Sequence, residues 1–184
     1  MSLHYPHAHP PVAGQQFEVA PGIHWLRMPL PFQLNHINLW LLRDGDGWTI
    51  VDTGFANDAV RDIWCPLIAG LDGPVHRLIV THFHPDHLGL ATWLMEETGA
   101  QLWMTSGEFL TAHVVWNEVG GHGARFMVEQ FRQHGLEAER LAKFEKRGSG
   151  YRMAVPALPE HYHRLKAGDT VAVDGKKWRI LIGH

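Results

Sequence analysis

A chain of 184 residues with 45% apolar and 19% charged content is long enough for one domain with its own core. A formal net charge of −3 makes no electrostatic case for nucleic acid, and no apolar run reaches the roughly 18 residues that a membrane-spanning helix requires. The single cysteine, Cys65, excludes an internal disulfide and fits a reducing compartment.

Residues 1–16 are rich in histidine and proline (His4, His7, His9, Pro6, Pro10, Pro11) and show no periodicity, so they read as a flexible arm preceding a domain over 17–184. The arm has no Lys, no Arg and no apolar stretch. It is therefore not expected to be a signal peptide, and a soluble cytoplasmic protein is the expectation.

Residues 17–28 alternate around Ile23, Trp25 and Leu26 and predict a first strand. The prolines of 29–33 forbid a central strand, and residues 37–42 predict the next one. Asp44-Gly45-Asp46-Gly47 is a hairpin turn, and 48–52 is the return strand, with Asp52 closing it just before Thr53-Gly54. Residues 57–71 place Val60, Ile63, Trp64, Leu67 and Ile68 on one helical face, interrupted by Pro66. A strand over 77–81, a helix over 88–98 stopped by Gly99, and a strand over 101–104 follow. This β, α, β, α, β order predicts an α/β (α+β) domain with helices against a sheet and ligands at the carboxyl ends of the strands.

The stretch Leu78 to Gly89, LIVTHFHPDHLG, carries the chemistry. Alternation on an extended backbone points His82 and His84 to one side, so both imidazoles can reach one ion. Pro85 turns the chain, Asp86 falls where a helix N-cap would sit, and the turn brings Asp86 and His87 back towards the first two histidines. Imidazole nitrogen with carboxylate oxygen suits zinc or iron rather than magnesium or calcium.

Residues 106–163 predict two or three amphipathic helices, from Phe109, Val114 and Val115, then Phe126, Val128 and Phe131, then Leu141 and Phe144. This is longer than a connection requires and reads as a helical cap insertion beside the site, whose apolar faces could equally make a homo-oligomer contact. Its His113, His122 and His134 read as structural or surface residues. Turns at Gly168-Asp169 and Asp174-Gly175 flank a short strand, and a last strand is expected over 178–182.

The pattern His-x-His-x-Asp-His at 82–87, with Asp52-Thr53-Gly54 about thirty residues upstream and Ala167-Gly168-Asp169-Thr170 downstream, resembles the metallo-β-lactamase superfamily. The resemblance implies an αββα sandwich built of two similar halves, of which this chain supplies the first plus the insertion, as the N-terminal portion of a longer enzyme. A lone half would present a broad apolar sheet face and should associate or unfold. The resemblance further implies two zinc ions, with iron or manganese as substitutes. His82 and His84 would be ligands of the first and Asp86 and His87 of the second, with Asp86 also guiding a proton to the leaving group. His184 is a candidate third ligand of the first site, while the bridging carboxylate and final histidine have no candidate, which leaves the chain by itself short of ligands for activity. Asp52 would orient a ligand from behind, and Leu30 and Phe32 would form an apolar flap towards substrate. The implied function is metal-dependent hydrolysis by a metal-bound hydroxide of an ester, thioester or lactone, as in the glyoxalase II branch, on a small-molecule substrate, with no nucleic-acid or membrane partner. The alternatives are iron-dependent oxygen or sulfur chemistry on the same scaffold and a non-catalytic module with a vestigial loop.

Overall fold

The computed structural model describes residues 3, 6–7, 9–147 and 150–183. His4 and His184 lie outside the described residues, and with them the reading of His184 as a ligand. Strands β1 (Phe17–Ala20), β2 (Ile23–Pro29), β3 (His36–Asp44) and β4 (Gly47–Val51) form an antiparallel run. Three parallel strands extend it, β5 (Val75–Ile79), β6 (Gln101–Thr105) and β7 (His163–Leu165), giving one seven-stranded sheet among the described residues, in sequence order. Helices α1 (Asp58–Ala69), α2 (Pro85–Leu88), α3 (Ala91–Thr98) and α4 (Ser106–Trp116) connect or follow these strands. The chain then forms α5 (Ala124–Gln133), α6 (Ala138–Arg147) and α7 (Tyr151–Ala154), and closes the described region with a hairpin of β8 (Thr170–Val173) and β9 (Lys176–Arg179).

Strand alternation sorts the sheet's side chains into two layers. Leu26, Met28, Leu39, Leu41, Ile50, Leu78, Leu102 and Met104 are all but inaccessible and pack with Val60, Trp64 and Leu94 of the helices. Ile23, Trp40, Leu42, Val51, Ile79, Trp103 and Leu165 belong to the opposite layer, where Val171 and Val173 of the hairpin pack on them. The expected bare apolar face is thus partly covered by this chain's own β8–β9, leaving a groove of about 420 Å³ bordered by Val19, Trp40, Val51 and Trp178.

Several local expectations are corrected. Residues 17–28 are two strands, because Gly22 adopts φ +74° and turns the chain, its carbonyl accepting from the Arg43 amide. Pro66 does not interrupt α1, which runs on to Gly70: the amide it lacks is one bond, while Trp64, fully buried, and Leu67 anchor the helix on the core. The helix expected over 88–98 divides into α2 and α3 at Gly89-Leu90. Its N-cap is His84, with Pro85 in the first turn, where a missing N–H is tolerated, so Asp86 lies inside the helix. The last strand is 176–179 rather than 178–182. Leu30 is buried at 8% exposure and so belongs to the core rather than to a flap.

Ala112, Tyr151 and Val155 are buried in the main core, so both ends of the 106–163 segment are integral to it. Between them α5 and α6 pack on each other through Phe131 and Phe144, ring centres 5.1 Å apart, and through Arg132, which bridges Glu129 and Glu145. The His113 ring lies tilted against that of Phe109, centres 4.6 Å apart, and its Nε2 is 3.3 Å from the Pro159 carbonyl oxygen. In the described part of the arm Pro11 is buried, the Gln15 amide donates to the Val12 carbonyl, and His7 meets Phe17 edge-on. No helix among the described residues is long and apolar enough to cross a membrane.

Candidate metal centre

The loop from Val80 to His84 leaves the carboxyl end of β5 and enters α2, and the Asp-Thr-Gly loop after the neighbouring β4 holds it from beneath. Asp52, 5% exposed and in the left-handed region at φ +63°, turns its carboxylate into this loop. Its Oδ1 accepts from the Thr81 amide at 2.8 Å, and the Thr81 hydroxyl donates to the same carboxylate at 2.9–3.0 Å. His87 Nδ1 lies 2.8 Å from Oδ2. A carboxylate only accepts, so Nδ1 carries the proton and Nε2 of His87 is the nitrogen left for another partner.

Thr81 extends the same logic to His82. With its hydroxyl proton committed to Asp52, Thr81 Oγ1 accepts from His82 Nδ1 at 3.0 Å, leaving Nε2 of His82 outward as well. Burial lowers the His82 pKa, and the neighbouring His87 and His84 lower it further. Burial also opposes charge on His87, but the Asp52 hydrogen bond and the charges of Asp52 and Asp86 outweigh it and raise its pKa.

Thr53 fixes the helix that follows. Its amide and hydroxyl both donate to the His87 carbonyl, at 2.9 and 2.7 Å, and its Oγ1 accepts from the Leu90 amide. The indole N–H of Trp64 donates to the Thr53 carbonyl at 2.8 Å, tying α1 to the same loop. Gly89 lies so close to the Asp-Thr-Gly loop that a Cβ there would fall 2.8 Å from the Gly54 carbonyl oxygen and 2.4 Å from that of Pro85.

The four residues singled out in sequence therefore converge. The His82 and His84 rings are 4.6 Å apart, the His82 and His87 rings 3.8 Å, and Asp86 Oδ2 is 3.5 Å from His87 Nε2. Two imidazoles sharing one tetrahedral ion at Zn–N distances of about 2.0–2.1 Å have centres roughly 5 Å apart. The first pair is near that spacing, whereas His82 and His87 lie against each other. Among the described residues no three His, Cys, Asp or Glu side chains are arranged to hold an ion as they stand. The donor types and their proximity fit zinc or iron.

Sequence reasoning did not single out Thr81, Glu108 or Tyr151, and it met Thr53 only as part of the Asp-Thr-Gly motif. Thr105-x-x-Glu108 was the available signal for one of them: it has the form of a helix-capping box, and Thr105 Oγ1 does accept from the Glu108 amide. The Glu108 side chain reaches away instead, accepting from the Phe83 amide at 2.9 Å. Beside the loop, Phe32 stays 52% exposed and meets Phe55 edge-on at 5.3 Å, forming an apolar wall next to the Asp-Thr-Gly turn.

Residues 33–121 match the family model of the metallo-beta-lactamase superfamily. The chain is similar to a beta-lactamase domain protein from Burkholderia ambifaria, with 43% identity and a TM-score of 0.78 over 95% of this chain and 51% of that one. It is also similar to a metallo-beta-lactamase family protein from Thermus thermophilus, with 31% identity and a TM-score of 0.71 over 89% of this chain and 52% of that one. The chain thus spans about half the length of each of these two structures. A comparison with curated proteins finds no match. On the family match and these two likenesses, residues 33–121 match a metallo-beta-lactamase superfamily domain, and the chain has the mixed α/β fold of these two structures.

Proposed function

We propose that this chain carries the histidine-rich part of a metal-dependent hydrolase site acting on an ester, thioester or lactone, in the manner of the glyoxalase II branch. The observation that supports it best is the pair of carboxylate-anchored imidazoles: His87 Nδ1 on Asp52 directly, and His82 Nδ1 on Asp52 through Thr81. Such outer partners set tautomer and ring direction and raise the basicity of the free nitrogen. His82 and His84 would hold one cation, and Asp86 with His87 a second. When bound, a divalent metal acts as a Lewis acid and lowers the pKa of water towards about 7. The Asp86 carboxylate, 25% exposed and 3.5 Å from His87 Nε2, would carry a proton towards a leaving group. Phe32 and Phe55 offer an apolar surface rather than a cationic groove, which agrees with the net charge of −3 and favours a small acyl substrate.

The test is calorimetric and kinetic. Zinc at about 100 times its Kd should stabilise the chain by about 2.7 kcal/mol, a rise in melting temperature of roughly 5–11 °C for a domain of this size. His84→Ala should abolish that rise and, in a protein that joins this chain to the remaining ligands of the site, hydrolysis of a panel of thioesters, esters and lactones. Unchanged melting with zinc, iron and manganese alike, or unchanged hydrolysis in His84→Ala, refutes the reading.

A further inference from the structure

Between the end of β5 and the start of α2 the Val80 amide still donates to the Trp103 carbonyl of β6 at 3.0 Å, and beyond it the metal loop finds its partners outside the sheet. The Thr81 amide goes to Asp52, and the His84 carbonyl accepts from the His87 and Leu88 amides at 3.0 and 2.9 Å. Phe83, the residue between the two histidines of the first candidate site, is held at both of its backbone polar groups. Its N–H donates to Glu108 Oε2 at 2.9 Å, and its carbonyl accepts from the Tyr151 hydroxyl at 2.6 Å. Tyr151 is 6% exposed, and its ring lies 6.2 Å from that of Phe83, which in turn is 4.9 Å from the His84 ring.

Glu108 is in the first turn of α4 and Tyr151 opens α7, so both arms of this clamp come from the segment that follows β6. The segment is braced against itself nearby. The Trp116 indole donates to the Val155 carbonyl at 2.9 Å, and Arg152 donates to the Trp116 carbonyl at 2.6 Å while lying over the Trp116 ring. A clamp on both polar groups of one residue removes the freedom that matters here. The φ and ψ of Phe83 decide how His82 and His84 are aimed relative to each other, and rotation about either breaks one of the two bonds.

We infer that Glu108 and Tyr151 are positioning residues that hold the Phe83 backbone and thereby set the mutual aim of His82 and His84 for a metal ion. This rests on the reading of those histidines as ligands. Glu108 acts through its acceptor oxygen and Tyr151 through its donated proton, and neither is called on to touch the ion.

Cobalt(II) titration of the metal-free chain, followed by visible ligand-field absorption, tests this with Glu108→Ala, Glu108→Gln, Tyr151→Phe and His84→Ala. Removing an outer partner of a ligand typically weakens metal binding about 10- to 100-fold. Glu108→Ala and Tyr151→Phe should each do so and shift the bands at saturating cobalt. Glu108→Gln, whose amide oxygen can still accept from the Phe83 N–H, should restore affinity and bands. Tyr151→Phe and Glu108→Gln preserve side-chain shape, and a melting curve of each metal-free variant establishes that it folds. A lowered melting temperature with cobalt affinity and saturated spectrum unchanged overturns the positioning role, as does a glutamine variant no better than alanine. If His84→Ala loses cobalt while Glu108→Ala does not, only the positioning role falls. If His84→Ala binds cobalt unchanged, the ligand assignment itself falls.

Discussion

Asp52→Asn changes one atom of a buried carboxylate and should separate two things that Asp52 does. The amide oxygen can still accept from the Thr81 N–H and hydroxyl, so the β4–β5 loop contact survives. At the other oxygen, 2.8 Å from His87 Nδ1, an NH2 donor now faces a ring N–H. The imidazole must move its proton to Nε2 and accept through Nδ1, which turns Nε2 into a donor towards Asp86 and closes it to a cation. A hydrogen bond to a charged group is worth about 1.5–3 kcal/mol and a neutral one about 0.5–1.5, so the metal-free protein should lose roughly 1–2 kcal/mol. For a chain of this size that lowers the melting temperature by about 2–8 °C. Zinc affinity should fall by about 10- to 100-fold, as for other outer partners of ligating histidines. Urea denaturation measures the first quantity, zinc competition with a chromogenic chelator the second, and long-range proton–nitrogen NMR correlations of the His87 ring identify the protonated nitrogen. A His87 Nε2 that stays unprotonated in the variant, with zinc affinity unchanged, would refute the account of Asp52 as the residue that sets the tautomer.

Other perturbations test the scaffold. Asp44 is partly buried, which raises its pKa, but hydrogen bonds from Thr49 and the Asp174 amide and the charge of Arg77 outweigh this and depress it below its usual 3.8. Stability from a depressed carboxylate is present above the unfolded value and lost as pH falls through the folded one. Wild type should therefore exceed Asp44→Asn in urea midpoint at neutral pH and lose that margin below about pH 3.8; a margin independent of pH contradicts the assignment. Leu78→Ala empties a fully buried position in β5 next to the metal loop and should cost about 2–5 kcal/mol by denaturant titration. Gly89→Ala forces a methyl to within 2.8 Å of backbone atoms of Gly54 and Ala56, so it should both destabilise the fold and weaken zinc binding by displacing α2. Zinc affinity unaltered in that variant would show that the loop tolerates the shift.

The sequence by itself determined the order of strands and helical stretches from residue 36 to residue 105 and the short-range cluster of ligand types at His82, His84, Asp86 and His87. Alternating apolar residues, turn glycines and ligand types at short spacing are local signals, and the backbone periods of strand and helix translate them directly into position. Where the reading erred, a tertiary contact overrode a local rule. Buried Trp64 and Leu67 carry α1 through Pro66, and the Asp-Thr-Gly loop pressing on Gly89 accompanies the break between α2 and α3. Only the tertiary structure decided that the β8–β9 hairpin covers part of the second sheet face and that Glu108 serves the metal loop rather than its own helix cap. Only it brought Tyr151, 68 residues along the chain, onto the Phe83 carbonyl. Those contacts join residues with no periodic relation to one another, so their geometry exists only once the sheet has brought the ends of separate elements together.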